Sequence, residues 1–138
     1  MKVSAKANYA CKALLELALH WPNTEPVQIS TIASKHRIPM KFLPHILIQL
    51  KQLGYVDSIR GQKGGYGLIK APKDIKLIDV VNHFDDLKLR SNPGKREDVL
   101  ESIWQGADET LLNYFTALDF EEIVKRQRKL IKVPMYTI

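Results

Sequence analysis

Apolar residues recur along this chain with two periods, first three-to-four and then two, and the first change falls at Gly54. Ser4 stands as an N-cap before Ala7, Ala10, Cys11, Leu14, Leu17 and Ala18, spaced for one face of a helix that stops before Pro22. Lys6, Asn8, Lys12 and Glu16 interrupt those apolar positions at helical spacing. The stretch WPNTEPV, with Pro22 and Pro26 as breakers, reads as a loop. From Gln28 to Lys35, Ile29, Ile32 and Ala33 share a face too short to be stable alone, so that helix must pack on a neighbour. In KFLPHILIQLKQLG the positions Leu43, Ile46, Leu47, Leu50 and Leu53 form a continuous stripe, and Gly54 sits where a left-handed C-terminal cap is expected.

Two short helices separated by HRIP, the second carrying Lys41, His45, Gln49 and Gln52 opposite its apolar stripe, have the spacing of a helix-turn-helix. An αα-hairpin in a helical bundle has the same pattern up to this point. After Gly54 the period becomes two: Tyr55 to Arg60 and Tyr66 to Lys70 read as strands joined by a segment with Gly61, Gly64, Gly65 and Gly67. A helix-turn-helix followed at once by a hairpin is a winged helix, and the fold class is mainly α with a small β-hairpin. The glycine-rich loop would be a wing whose small residues let backbone amides and Arg60 approach phosphates or a narrow minor groove. A hairpin turn without function is the plainer alternative. Phosphate-binding P-loops need Lys and then Ser or Thr after the last glycine, followed by a helix; here Tyr66 and a strand follow. The glycines do not fit a G-x-G-x-x-G dinucleotide fingerprint either.

Beyond the hairpin the helical period returns. Leu77, Val80, Val81 and Phe84 make a short amphipathic helix, DDLKLRSNPGKRED reads as an exposed loop, and Leu100, Ile103, Trp104, Ala107, Leu111, Tyr114, Phe115 and Leu118 line one face over about five turns. A face that long calls for a second copy of the chain, although part of it must complete the intrachain core. Asp119 with Glu122 is placed to cap a last helix, whose Lys125, Arg126, Arg128 and Lys129 favour its C-terminal dipole. The chain therefore divides into a winged helix-turn-helix over 1–75 and a connecting helix, loop and dimerisation helices over 76–138.

Charge sharpens that division. Residues 1–75 hold 11 Lys and Arg against 4 Asp and Glu, whereas residues 76–138 hold 10 against 11, so all of the net +6 lies in the first part. A basic head on a near-neutral body suits a nucleic-acid-binding module with an oligomerisation or sensing body. No run approaches the roughly 18 apolar residues of a membrane span, and the start is unlike a signal peptide, so a cytoplasmic protein without membrane contact is expected. A single cysteine, Cys11, rules out an intrachain disulfide and any metal site built from several cysteines of one chain. It lies on the apolar face of the first helix, which points to a structural thiol. No nucleophile, base and orienting group recur in an interpretable arrangement, so catalysis has no support.

The stretches SAKANYA, ISTIASKHRIPMKFLPHIL, LKQLGYVDSIRGQKGGYGL and IKLIDVVNHF, covering residues 1 to about 84, resemble the Rrf-two family of bacterial winged helix-turn-helix transcription regulators. That family includes the iron–sulfur assembly regulator, the nitric-oxide-sensing repressor and the cysteine-metabolism repressor. RGQKGGY is especially close to its wing pattern, and LNYFTALDFEEIV is more loosely similar to the end of its long dimerisation helix and the closing helix. The resemblance implies a homodimeric regulator that binds double-stranded DNA at a partly palindromic operator, with repression the expected sign. Lys41 and His45 are then expected in the major groove, with Pro39 and Met40 setting the helix start and meeting thymine methyls. Arg60 is expected at the minor groove; Ser30, Thr31, Lys35, Gln62, Lys63 and the wing backbone at Gly61, Gly64, Gly65 and Tyr66 at phosphates. Lys6 and Tyr9, which match family positions on the first helix, are also expected at phosphates. The dimer would use Ile103, Trp104, Ala107, Leu111, Tyr114, Phe115 and Leu118.

Two departures from the family pattern matter. Cluster-binding members carry cysteines between the short helix after the wing and the long helix, and Asp85 to Asp98 has none, so no cofactor is expected. A small-molecule or protein effector would instead act through Leu77 to Phe84 and the following loop; His83 is expected to be structural or exposed rather than a ligand. Pro44 lies inside the expected recognition helix: if that helix starts near Pro39 its base-reading turn is distorted, and if it starts later Pro44 falls in the tolerant first turn. The rival to a regulator is an interaction module that uses the winged-helix surface to hold a partner enzyme.

Overall fold

The computed structural model describes residues 2–22, 25–87 and 98–132. Its elements follow the order α1 (Ala5–Leu19), α2 (Ile29–His36), α3 (Leu43–Gln52), β1 (Val56–Ile59), β2 (Gly65–Leu68), a 3-10 turn (Pro72–Asp74), α4 (Leu77–Asp85), α5 (Val99–Thr116) and α6 (Phe120–Lys132). This is the expected mainly α architecture with one hairpin.

Helix α1 is the hub, packing against α2, α3, α4 and α6. Its start is fixed twice over. The Ser4 hydroxyl oxygen accepts a hydrogen bond from the Ala7 amide at 3.1 Å, and the Ser4 amide donates to Asp85 Oδ2 at 2.8 Å while its hydroxyl donates to Asp85 Oδ1. The N-cap thus also ties the end of α4 to the start of α1. Ala10, Ala13, Leu14 and Leu17 join Ile32, Leu43, Ile46, Leu47, Leu50 and Val56 in one core. Burying a leucine or isoleucine contributes about 1.5–3 kcal/mol, so this shared core holds the two helix-turn-helix elements in place far more firmly than their short lengths could. The core runs past residue 75: Val80 of α4 and Phe120 and Val124 of α6 belong to it. Asp119 accepts from the Glu122 amide at 2.9 Å, the expected cap of α6, while the Glu122 side chain turns to Arg126 at 3.3 Å.

Helix α3 begins at Leu43, so Pro44 sits in its first turn, where the missing amide donor costs nothing. Between α2 and α3, Arg37 adopts a left-handed conformation with φ 54°. The predicted stripe of α3 is buried at Leu43, Ile46, Leu47 and Leu50 and half-buried at Leu53.

Strands β1 and β2 pair antiparallel, Val56 with Leu68 through Ile59 with Gly65; β1 lacks the expected Tyr55 and Arg60 at its two ends, and β2 starts one residue earlier than the period-two pattern suggested and stops at Leu68 rather than Lys70. A third segment joins them. Val27 bridges Tyr66, its amide donating to the Tyr66 carbonyl and its carbonyl accepting from the Tyr66 amide, both at 2.9 Å. The expected loop WPNTEPV therefore ends in a strand contact. Gly65 explains itself here: a Cβ on it would lie 2.5 Å from the Val27 carbonyl oxygen. No helix among the described residues is long and apolar enough to cross a membrane.

Candidate nucleic-acid interface

Gln28 precedes α2 with no side-chain cap, so the first-turn amides of this helix have no side-chain acceptor from their own N-cap. That uncapped end lines a groove of about 720 Å³ whose other wall is the wing, with Arg60, Gly61, Lys63, Gly64, Gly65 and Tyr66. Ser30 from α2 lines it too. A helix N-terminus facing two basic side chains has the charge and the dipole that suit an anion. Arg60, Gly61, Gln62 and Lys63 are exposed; Gly64, Gly65 and Tyr66 are half-buried. Gly64 has φ 61°, which allows the wing to reverse.

On α3 the outward face carries exposed His45, Ile48 and Gln52 with half-buried Gln49 between them. Pro39, Met40 and Lys41 lead into it and are exposed, Met40 by 52%. The Gln49 side-chain nitrogen lies 2.8 Å from His45 Nε2. This contact occupies Nε2 and leaves Nδ1 as the ring nitrogen free for another partner. An imidazole nitrogen placed there can donate to or accept from a base edge, according to its tautomer. Ile48, exposed by 50%, escaped the sequence reading. Its place three residues after His45 on the polar face was the available signal.

The first helix contributes differently from expectation. Lys6 is exposed with its ammonium 5.8 Å from the centre of the Phe84 ring, but Tyr9 is half-buried and lies nearly parallel to Phe42, ring centres 6.2 Å apart. Thr31 is half-buried, and Lys35 is exposed with its ammonium 3.3 Å from the Glu16 carboxylate. Glu16 is itself a surprise. Expected as a polar interruption of α1, it is 2% exposed, and its carboxylate also bonds His36 at 3.0 Å and His20 at 2.9 Å. Burial alone would raise its pKa, yet hydrogen bonds from His36 and His20 and the Lys35 charge outweigh that and hold it below the ordinary range. The cluster joins α1 to α2, and the i, i+4 pair Glu16–His20 was its only trace in the sequence.

Of the dimer residues, Ile103, Trp104, Ala107 and Tyr114 are exposed and Leu111 is half-buried, while Phe115 and Leu118 are each only 7% exposed. Phe115 in the last turn of α5 and Leu118 two residues beyond the helix are therefore spent on the chain's own core, and the exposed face keeps the other five. Val99 and Leu100, exposed by 70% and 54%, extend that face at its start.

A scan of family models matches residues 3–126 to Rrf2, described as an iron-dependent transcriptional regulator. The chain belongs to the Rrf2 family. An rrf2-like protein of Rhodobacter capsulatus is 44% identical over 85 residues, 60% of this chain and 57% of that one. The chain spans little more than half the length of the curated relatives it matches at that level. The structure of T. potens IscR superposes with a TM-score of 0.78 at 26% identity, covering 99% of this chain and 95% of that one. CymR, the global cysteine regulator of B. subtilis, superposes at 0.79 with 22% identity, covering 91% and 98%. The winged-helix fold of Rrf2 regulators is thus established for this chain, and its family holds regulators rather than enzymes.

The iron in the Rrf2 description can be tested against the donors present. Iron–sulfur clusters are held chiefly by thiolates, and this chain has Cys11 alone. That thiol is half-buried, and burial, with the Asp85 charge adding, pushes its pKa up to about 12. Among the described residues no three His, Cys, Asp or Glu side chains stand together as a metal site. Residues 88–97, outside the described residues, contain neither Cys nor His. This donor set does not fit a thiolate-held cluster. His83 is exposed, edge-on to Phe84 at 5.0 Å.

Proposed function

We propose that this chain is a DNA-binding transcription regulator that acts as a homodimer on a partly palindromic operator, most simply as a repressor. The observation that carries the reading is the groove in which the uncapped start of α2 meets Arg60 and Lys63 of the wing. A phosphate seated there registers the protein on the duplex. The exposed face of α3 then faces base edges, Lys41 and His45 supplying hydrogen bonds and Met40 and Ile48 apolar contacts for thymine methyls. Arg60 at the end of β1 serves the minor groove. The exposed apolar start of α5 supplies the dimer contact, and two heads related by a two-fold axis would read two half-sites. Residues 1–75 form the reading unit and 76–138 the assembly unit, in the cytoplasm, with a small molecule or protein as effector.

Selection of genomic fragments by the purified protein tests this. A recurrent, partly palindromic sequence should emerge above competitor DNA. Retention of no preferred sequence would remove the regulator and leave an interaction module.

A further inference from the structure

A cavity of about 480 Å³ opens between the first turns of α1 and the lead into α3. That volume is in the range of small-ligand sites. Ala5, Tyr9, Phe42 and Ile46 supply its apolar lining, and Lys6, Lys41 and His45 its polar groups; among the described residues no carboxylate lines it. Asp85, at the end of α4, is engaged by Ser4. Among the described residues neither Lys6 nor Lys41 pairs with a carboxylate; each ammonium lies over a ring, Lys6 at 5.8 Å from Phe84 and Lys41 at 4.9 Å from Phe42. Phe42 is the second observation. It occupies the N-cap of α3, a position that favours Ser, Thr, Asp or Asn, and it caps nothing. Nor is it buried: 45% of it is exposed, its ring nearly parallel to Tyr9. A residue that serves neither the helix end nor the core marks a site kept for something else.

We propose that this cavity binds a small aromatic carboxylate, and that the bound ligand opposes DNA binding. The ring would lie on the Phe42–Tyr9 wall, where offset stacking is favourable. The carboxylate would take the two unpaired ammoniums, with the His45 ring beside them. A DNA phosphate satisfies the lysines but leaves the apolar wall uncovered; a neutral apolar molecule covers the wall but leaves the lysines unanswered. Only a ligand with both parts matches the lining. Competition follows because Lys41 and His45 are the residues proposed to read DNA, so this second half rests on the proposed function.

The test uses the full chain without DNA first. Titration calorimetry with 1-naphthoate should give saturable binding with a sub-millimolar dissociation constant, and 1-naphthalenemethanol, which lacks the charge, should bind about tenfold or more weakly. Ala5→Leu, which fills the cavity, and Phe42→Ala, which removes its wall, should each weaken naphthoate at least tenfold while circular dichroism shows the fold retained. The selected operator is then titrated with and without saturating naphthoate, which should raise its dissociation constant at least tenfold. Absence of saturable binding to the DNA-free protein, or binding indifferent to both variants, overturns the site. Binding that fades as protein concentration rises, with sedimentation showing self-association, would give the cavity to a second copy and also overturn it. Naphthoate binding with an unchanged operator constant would overturn the competition alone. Failure of the protein to select any DNA would refute the proposed function while leaving the ligand titration decisive for the site.

Discussion

Replacing Glu16 by Gln keeps the side chain's size and removes its charge at the joint between α1 and α2. Three bonds enter this carboxylate, from His20 at 2.9 Å, His36 at 3.0 Å and Lys35 at 3.3 Å. A hydrogen bond to a charged group contributes about 1.5–3 kcal/mol, but the partners do not count equally. The side chains of His20 and Lys35 are 37% and 55% exposed and regain water when released, so each should matter by less than about 1 kcal/mol. His36, at 14%, cannot. The expected loss is therefore about 2–3 kcal/mol near neutral pH, read as a lower urea midpoint at unchanged slope. The pH dependence supplies the check. Because the folded pKa of Glu16 lies below the ordinary value, the unfolded chain takes up this proton first as pH falls. Its contribution is complete above the unfolded pKa of about 4.3 and is lost as pH falls through the folded value. The gap in stability between wild type and Glu16→Gln should narrow below about pH 4. A gap of the same size at pH 3.5 and pH 7, or one below about 0.5 kcal/mol at pH 7, would show that the charge does not hold the joint.

Three further expectations concern binding, assembly and cofactor. Arg60→Ala should weaken operator binding by about 1–3 kcal/mol, and Lys63→Ala should weaken all sequences alike and lower the salt slope by about one unit; both are read by titrating labelled operator at several salt concentrations, and a sequence-dependent loss from Lys63→Ala would displace it from the phosphate role. Trp104→Glu should yield monomers that hold a half-site only weakly, since linking two half-sites raises effective concentration; a wild-type monomer by sedimentation at micromolar concentration, without DNA, would remove the dimer. Protein purified without oxygen should be colourless and carry no stoichiometric iron or sulfide, and its operator affinity should not change in air; a cluster found by absorbance and metal analysis would mean that His or carboxylate donors had been recruited.

Much of the fold could be read in the residues because packing and pattern agree there. Ser4, Gly54 and Asp119 act at helix ends by local rules, and the stripe of α3 is buried almost as its spacing demands. What escaped was set by contacts distant in sequence. Glu16 looked like a solvent-facing residue because its partners include Lys35 and His36, 19 and 20 residues away along the chain. Val27 looked like the end of a loop because a single pair of strand bonds to Tyr66 leaves no period to detect. Phe115 and Leu118 shared the period of the exposed part of α5, and only the placement of the helix end against the core separates them from Trp104. Among the site residues, the wing was legible as text, whereas the vacant cap before α2 and the ring of Phe42 acquire meaning only when α1 and the hairpin are in place.

The bridge between Val27 and Tyr66 has a mechanical consequence. Val27 stands two residues before α2 and Tyr66 lies in the second strand of the wing, so the helix start and the wing are clamped across the same pair of bonds. The two prongs proposed to grip the sugar-phosphate backbone then keep a fixed gap, like the jaws of a locked calliper. Groove width becomes the adjustable dimension, and the cost of adjusting it falls on the DNA. Operator positions between the α3 contacts and the wing should be chosen for how easily they deform, although no side chain touches them; replacing flexible pyrimidine–purine steps there by a stiff A-tract should lower affinity, and indifference to such swaps would mean the jaws can open.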